Sequence, residues 1–236
     1  MKISRLLMLF ALPITAVLAS PLARADSTYG TLTITVWNGS YSSGVSDLAE
    51  LSTMPTGTPT ATFTYTGPLD FVNNNGNGDS NTFADFLNSN GTTSFTSDIS
   101  NFSSSTLSES QFLALTMSTL GETGSASNTY MEITGDYTGS GAVTVSSDDG
   151  SSLYADGGTI LSNPNPQDDT PANGVLAAGT DSPFTLVYVE SNGAPADLTV
   201  TGLSPAPTPE PGSLLLLGTG LVGLAGLVGS KYMHTS

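Results

Sequence analysis

No cysteine occurs in the 236 residues, so disulfides, thiolate nucleophiles and Cys-ligated metals are all excluded. Basic residues are nearly as scarce. The four are Lys2, Arg5, Arg24 and Lys231, and none falls between Asp26 and Ser230. That stretch carries all 20 acidic residues, while the whole chain nets −16. It can build no Lys or Arg salt bridge and cannot neutralise phosphates, which excludes nucleic acid as a partner. The single histidine, His234, stands near the C-terminus. The body therefore has no imidazole for a Ser-His-Asp arrangement or a zinc site, and no lysine for a Ser-Lys dyad. Carboxylate pairs are what remains for catalysis. Glu109, Glu122, Glu132 and Glu190 are available, but none sits in a recognisable motif, and the chain is not expected to be an enzyme. Most of the acids serve solubility. Any that are buried without a basic partner must find another, and divalent cations are the natural choice.

What is present at the two ends is apolar. Lys2 and Arg5 precede the run Leu6 to Leu18, and Ala23-Arg24-Ala25 then offers small residues where a signal peptidase reads. This predicts a signal peptide over 1–25, cleaved before Asp26. A membrane helix would need about 20 apolar residues, and Pro13 interrupts a run already too short. At the other end a spacer over 204–212 has proline at every second position through Pro209-Glu210-Pro211, so it should be extended and semi-rigid. A Leu- and Gly-rich transmembrane helix is expected over 213–230. It is followed by a short tail, 231–236, whose Lys231 favours the cytoplasm.

The body, 26–203, has the length of one domain. Strand-like alternation runs through it. Leu32, Ile34 and Val36 alternate with threonines, and Phe63 and Tyr65 alternate with Thr62, Thr64 and Thr66. Tyr130 to Ile133, Val143 to Ser146, Phe184 to Val189 and Leu198 to Thr201 follow. In Phe184 to Val189 both faces are largely apolar, which predicts a central strand buried on each side. Two short helices are expected, Thr82 to Leu87 and Ser110 to Thr119, the second with a capping pattern at Ser108 to Gln111. The fold class is all-β: a single antiparallel β-sandwich or barrel with long loops.

The C-terminal arrangement of Pro-Glu-Pro, Leu/Gly helix and basic residue resembles the PEP-CTERM sorting tail of Gram-negative bacteria that make extracellular polysaccharide. That family's tail usually ends in several arginines, where this chain has only Lys231. The resemblance implies an inner-membrane intermediate and cutting near Pro209, Glu210 and Pro211 by an exosortase. Release or anchoring at the cell surface would follow.

Tyr130 to Val200 reads as strand, tight turn, strand, acidic turn, strand, long loop, strand, loop, strand. Asp148-Asp149-Gly150 forms the acidic turn, and Ser191-Asn192-Gly193 follows the central strand. Two adjacent carboxylates and an amide oxygen are donors that calcium takes. Asp-Asp-Gly is equally a good turn in its own right. The order of elements resembles the protective-antigen (PA-14) domain, most closely over Ile133 to Val200. The resemblance implies that Asp148 and Asp149, joined by a cis peptide, hold calcium with Asn192. It also implies that cell-surface or extracellular glycans bind there, with Ser162 to Gly174, carrying Asp168-Asp169, as a specificity loop. The rival expectation is a structural component of a polysaccharide matrix with no sugar site. Asn73 to Asp79 partly imitates a calcium loop, but Ala84 stands where the closing Glu is required, so it reads as a turn.

Overall fold

The computed structural model describes residues 30–40, 47–73, 82–87, 98–118, 127–191, 193 and 195–204. Outside them lie Ala23, Ala25 and Asp26 of the signal cleavage site, Glu122, Asn192, Pro209, Glu210, Pro211 and Lys231. Most of the Asn73 to Asp79 turn and the apolar C-terminal run also fall outside.

Among the described residues the chain is an antiparallel β-structure with two short α-helices and one turn of 3-10 helix at Leu51–Thr53. Its elements are β1 (Leu32–Ser40), β2 (Ala61–Tyr65), β3 (Asp70–Asn73), α1 (Phe83–Leu87), β4 (Ile99–Ser103) and α2 (Glu109–Leu113). They continue with β5 (Ser127–Asp148), β6 (Gly150–Ala155), β7 (Gly158–Asn163), β8 (Thr170–Glu190) and β9 (Ala196–Thr201). Strands pair in the order β4-β2-β1-β5-β8-β6-β7, and β9 joins β3 to β5.

Two strands organise this network. β5 has 22 residues and β8 has 21, well beyond the usual strand of about 5–6, so each serves two wings. The first half of β5 lies between β1 and the second half of β8. Its second half lies between β9 and the first half of β8. The tight turn expected between Ile133 and Val143 is therefore absent. Gly139 and Gly141, at φ +105° and +134°, instead shift the register against β8 and let one strand continue through a bulge. Glycine at positive φ serves a bulge as readily as a turn. The long loop expected at Ser162 to Gly174 also contracts to 164–169, because β7 runs to Asn163 and β8 starts at Thr170. Residues 170–176 are taken up by pairing with 141–147 of β5.

The wings close on one core. Leu32, Ile34, Val36 and Phe63 come from one wing, and Phe71, Val143, Val145 and Leu198 from the other. Each such side chain, fully buried, contributes about 1.5–3 kcal/mol. Phe112 of α2 stacks on Phe83 at 4.4 Å and meets Phe63 at 5.7 Å, so both helices pack aromatic side chains into the core. α2 is capped by Ser108, whose hydroxyl accepts the Gln111 amide while Gln111 returns to the Ser108 backbone. It stops at Leu113 rather than Thr119, since Thr116 bridges Thr82 instead. The expectation for Phe184 to Val189 holds: Phe184, Leu186 and Tyr188 face the main core. Val187 and Val189 pack with Ala49 and Tyr130 on the opposite face.

Candidate cation site

The chain changes wing twice at the same end of the molecule. It leaves β5 through Asp148-Asp149 and enters β6, which pairs with the second half of β8. It then leaves β8 after Glu190 and returns to β9, beside the end of β5. Since Gly150 pairs with Val189, and Asp148 with Asp197, the two crossings lie side by side. Three carboxylates meet there. One oxygen each from Asp148, Asp149 and Glu190 lies within 4.8 Å of the others, and all three residues are buried. Sequence reasoning named the two aspartates as cation ligands but considered Glu190 only among the carboxylates available for a catalytic pair.

Their hydrogen bonds divide the work. Asp149 Oδ2 accepts from the Ser191 N–H at 2.7 Å and from its hydroxyl at 3.1 Å. Asp149 Oδ1 accepts from the Gln167 N–H at 3.2 Å. Asp149 thereby ties the turn, the 164–169 loop and the second crossing together. A side chain at Gly150 would stand 2.3 Å from the Pro164 carbonyl, so glycine alone lets that loop lie across the turn. The Asp148–Asp149 peptide is cis.

Glu190 is fully enclosed. Its Oε1 accepts from Ser118 Oγ at 2.8 Å and from the Gly193 N–H at 2.9 Å. Its Oε2 lies 3.2 Å from the Tyr188 hydroxyl, which also donates to the Asp148 carbonyl at 2.6 Å. A tyrosine has a single proton, so these two acceptors compete for it and the closer carbonyl is favoured. No donor among the described residues reaches the Asp148 carboxylate.

Electrostatics record the crowding. Burial, then the charge of Asp149, pushes Glu190 up to about 9, against the lowering by Ser118 and Tyr188. Burial pushes Asp148 up to about 7, helped by Asp149, Asp168, Asp169 and Asp197. Asp197, opposite Asp148, is raised to about 6, again mainly by burial. With no Lys or Arg between residues 26 and 230, only protons or cations can offset this charge.

Asn192 lies outside the described residues, but its neighbours Ser191 and Gly193 both reach the carboxylates, through Asp149 and Glu190. Asp168 and Asp169 are exposed on the adjoining loop, with Asp169 accepting from Ser146 Oγ at 2.7 Å. Glu132 sits across from Thr35 on the outer face, and Glu109 begins α2. Neither joins the cluster. Asn73, the first residue of the expected Asn73 to Asp79 turn, ends β3, buried and paired with Ala196.

No family model matches the chain, and no curated protein matches it in sequence. Among solved structures it is similar to a PA14 sugar-binding domain from an RTX adhesin. That likeness has a TM-score of 0.43 and 16% identity, covering 72% of this chain and 88% of the other. It is also similar to the PA14 domain of the MpAFP antifreeze protein, with a TM-score of 0.47 and 15% identity, over 79% and 95% of the two chains. Both likenesses are of fold.

Proposed function

We propose that this is an exported, non-enzymatic surface module that binds carbohydrate with calcium held at Asp148 and Asp149. The carrying observation is the cluster itself: three buried carboxylates within 4.8 Å, in a stretch that has no basic side chain. Asp148, whose carboxylate has no donor among the described residues, and Asp149, fixed from two sides, suit an ion that takes only oxygen ligands. Asn192 would supply a further oxygen from the second crossing. Bound calcium would leave positions for vicinal hydroxyls of a sugar, with Asp168 and Asp169 at the rim. In this reading the PEP-CTERM-like tail delivers the module. It is held in the membrane by the apolar helix, then cut by an exosortase near Pro209-Glu210-Pro211 for release or display at the surface.

Calorimetry of the full chain tests it. A ligand that binds only the folded state at 100 times its Kd adds roughly 2.7 kcal/mol, so calcium should raise the Tm. Asp149→Ala should lose that response, and a glycan array read with calcium and with chelator should give calcium-dependent hits. An unchanged Tm in the wild type sinks the calcium reading. A second reading, a matrix protein whose Asp-Asp turn is scaffold, is favoured by the bonds from Asp149 to Gln167 and Ser191, which need no metal. It expects no calcium response and no glycan hits.

A further inference from the structure

We infer that Ser118 is a positioning residue for this site, holding the crossing that follows β8 in its ligand-ready shape; the inference rests on the calcium reading above. Ser118 is 3% exposed and lies 72 positions from Glu190 in sequence, outside the strands that carry the carboxylates. Its hydroxyl is used in both directions. The O–H donates to Glu190 Oε1 at 2.8 Å, and the oxygen accepts from the Gly193 N–H at 2.9 Å. Gly193 N is also 2.9 Å from Glu190 Oε1, which closes a ring of three groups. Gly193 stands at φ +89°, a conformation open to glycine at no steric cost, so its placement rests on these hydrogen bonds.

The crossing is therefore pinned at two points, Ser191 to Asp149 and Gly193 to Ser118. The platform under Ser118 is itself fixed. Thr129 Oγ1 donates to the Met117 carbonyl, Asn38 Nδ2 donates to the Thr116 carbonyl at 2.9 Å, and Thr116 bridges Thr82. Among the described residues, truncating Ser118 leaves Glu190 Oε1 and the Gly193 N–H with only each other. Gly193 then loses its bond to Ser118, one of the two pins. Outer-shell partners of this kind typically carry a 10–100-fold share of metal affinity.

The test compares calcium titrations of the full-length wild type, Ser118→Ala and Ser118→Thr, with the Tm of each in chelator. Expected are a Kd weakened by about 10-fold or more in Ser118→Ala and a near-wild-type Kd in Ser118→Thr, which keeps the hydroxyl. A residue that only supported the fold would lower the chelated Tm and leave the Kd unchanged, and that result overturns the inference. So does a Ser118→Thr protein as weak as Ser118→Ala, which would make the effect one of volume. If Ser118→Ala does not fold, Ser118→Cys keeps the size with a poor hydrogen-bonding group and should weaken the Kd in the same way; a wild-type Kd there overturns the proposal. A wild type that binds no calcium refutes the site and this inference together. A wild type that binds while Ser118→Ala binds equally well refutes the inference alone.

Discussion

Raising the pH of the chelated protein should weaken it steadily, because Glu190 folds with a proton that the unfolded chain releases. An ordinary glutamate near 4.5 is carried to about 9 at this position. A group raised on folding stabilises fully below its unfolded value and loses that contribution as pH climbs towards its folded one. Between pH 5 and 8 the folded state then holds about one more proton than the unfolded state at this residue, a slope of roughly 1.4 kcal/mol per pH unit. From pH 5 to pH 7 the loss is about 3 kcal/mol, a large share of the 5–15 kcal/mol typical of a domain. Asp148, raised to about 7, and Asp197, raised to about 6, act in the same direction over the lower part of that range. At about 2–4 °C per kcal/mol for a chain of this size, the Tm should fall by about 6–12 °C between pH 5 and 7. Scanning calorimetry in chelator at pH 5, 6, 7 and 8 reads this directly. Glu190→Gln should flatten the slope by about one proton, and excess calcium should restore the Tm most strongly at the alkaline end. A chelated Tm that is flat or rises from pH 5 to 8, or a Glu190→Gln protein with an undiminished slope, refutes the reasoning.

The two aspartates should separate in the same assay. Asp148→Asn should raise the chelated Tm by removing a crowded charge while abolishing the calcium response, whereas Asp149→Asn should lower the chelated Tm by weakening its bonds to Gln167 and Ser191. Gly150→Ala should displace the 164–169 loop, since its methyl would meet the Pro164 carbonyl; amide exchange at Gln167 should quicken and calcium affinity should fall. Phe112→Ala, deleting a ring packed on three other phenylalanines, should cost about 3–5 kcal/mol in denaturant unfolding without altering the Kd for calcium.

The strands were legible where burial follows residue period. Leu32, Ile34 and Val36 alternate with threonines because one face of β1 meets the core and the other meets solvent, and Phe184 to Val189 lost its alternation because both faces are covered. Register was not legible, since period says nothing about which strand a residue will meet. Glu190 comes beside Asp148 and Asp149 only because Gly150 pairs with Val189, a contact between distant segments. The signal that could have found it is local: a single acid at the end of a doubly buried strand, in a stretch without basic residues. Gly139 and Gly141 misled for the opposite reason, because their backbone freedom suits turn and bulge alike.

The placement of β9 has a mechanical consequence. Its pairing with β5 runs from Asp197 opposite Asp148 to Thr201 opposite Thr144, so the carboxylates stand at one end of this ladder. The chain leaves the other end at Ser204, whose carbonyl is held by the Thr138 N–H at 2.9 Å. A pull between something gripped at the carboxylates and a tether beyond Ser204 would run along the strands, across the direction of their hydrogen bonds. The rungs would then carry the load together instead of opening one after another, with β3 bracing β9 from its far side. Loaded between those two points, the ladder would resist in shear rather than unzip.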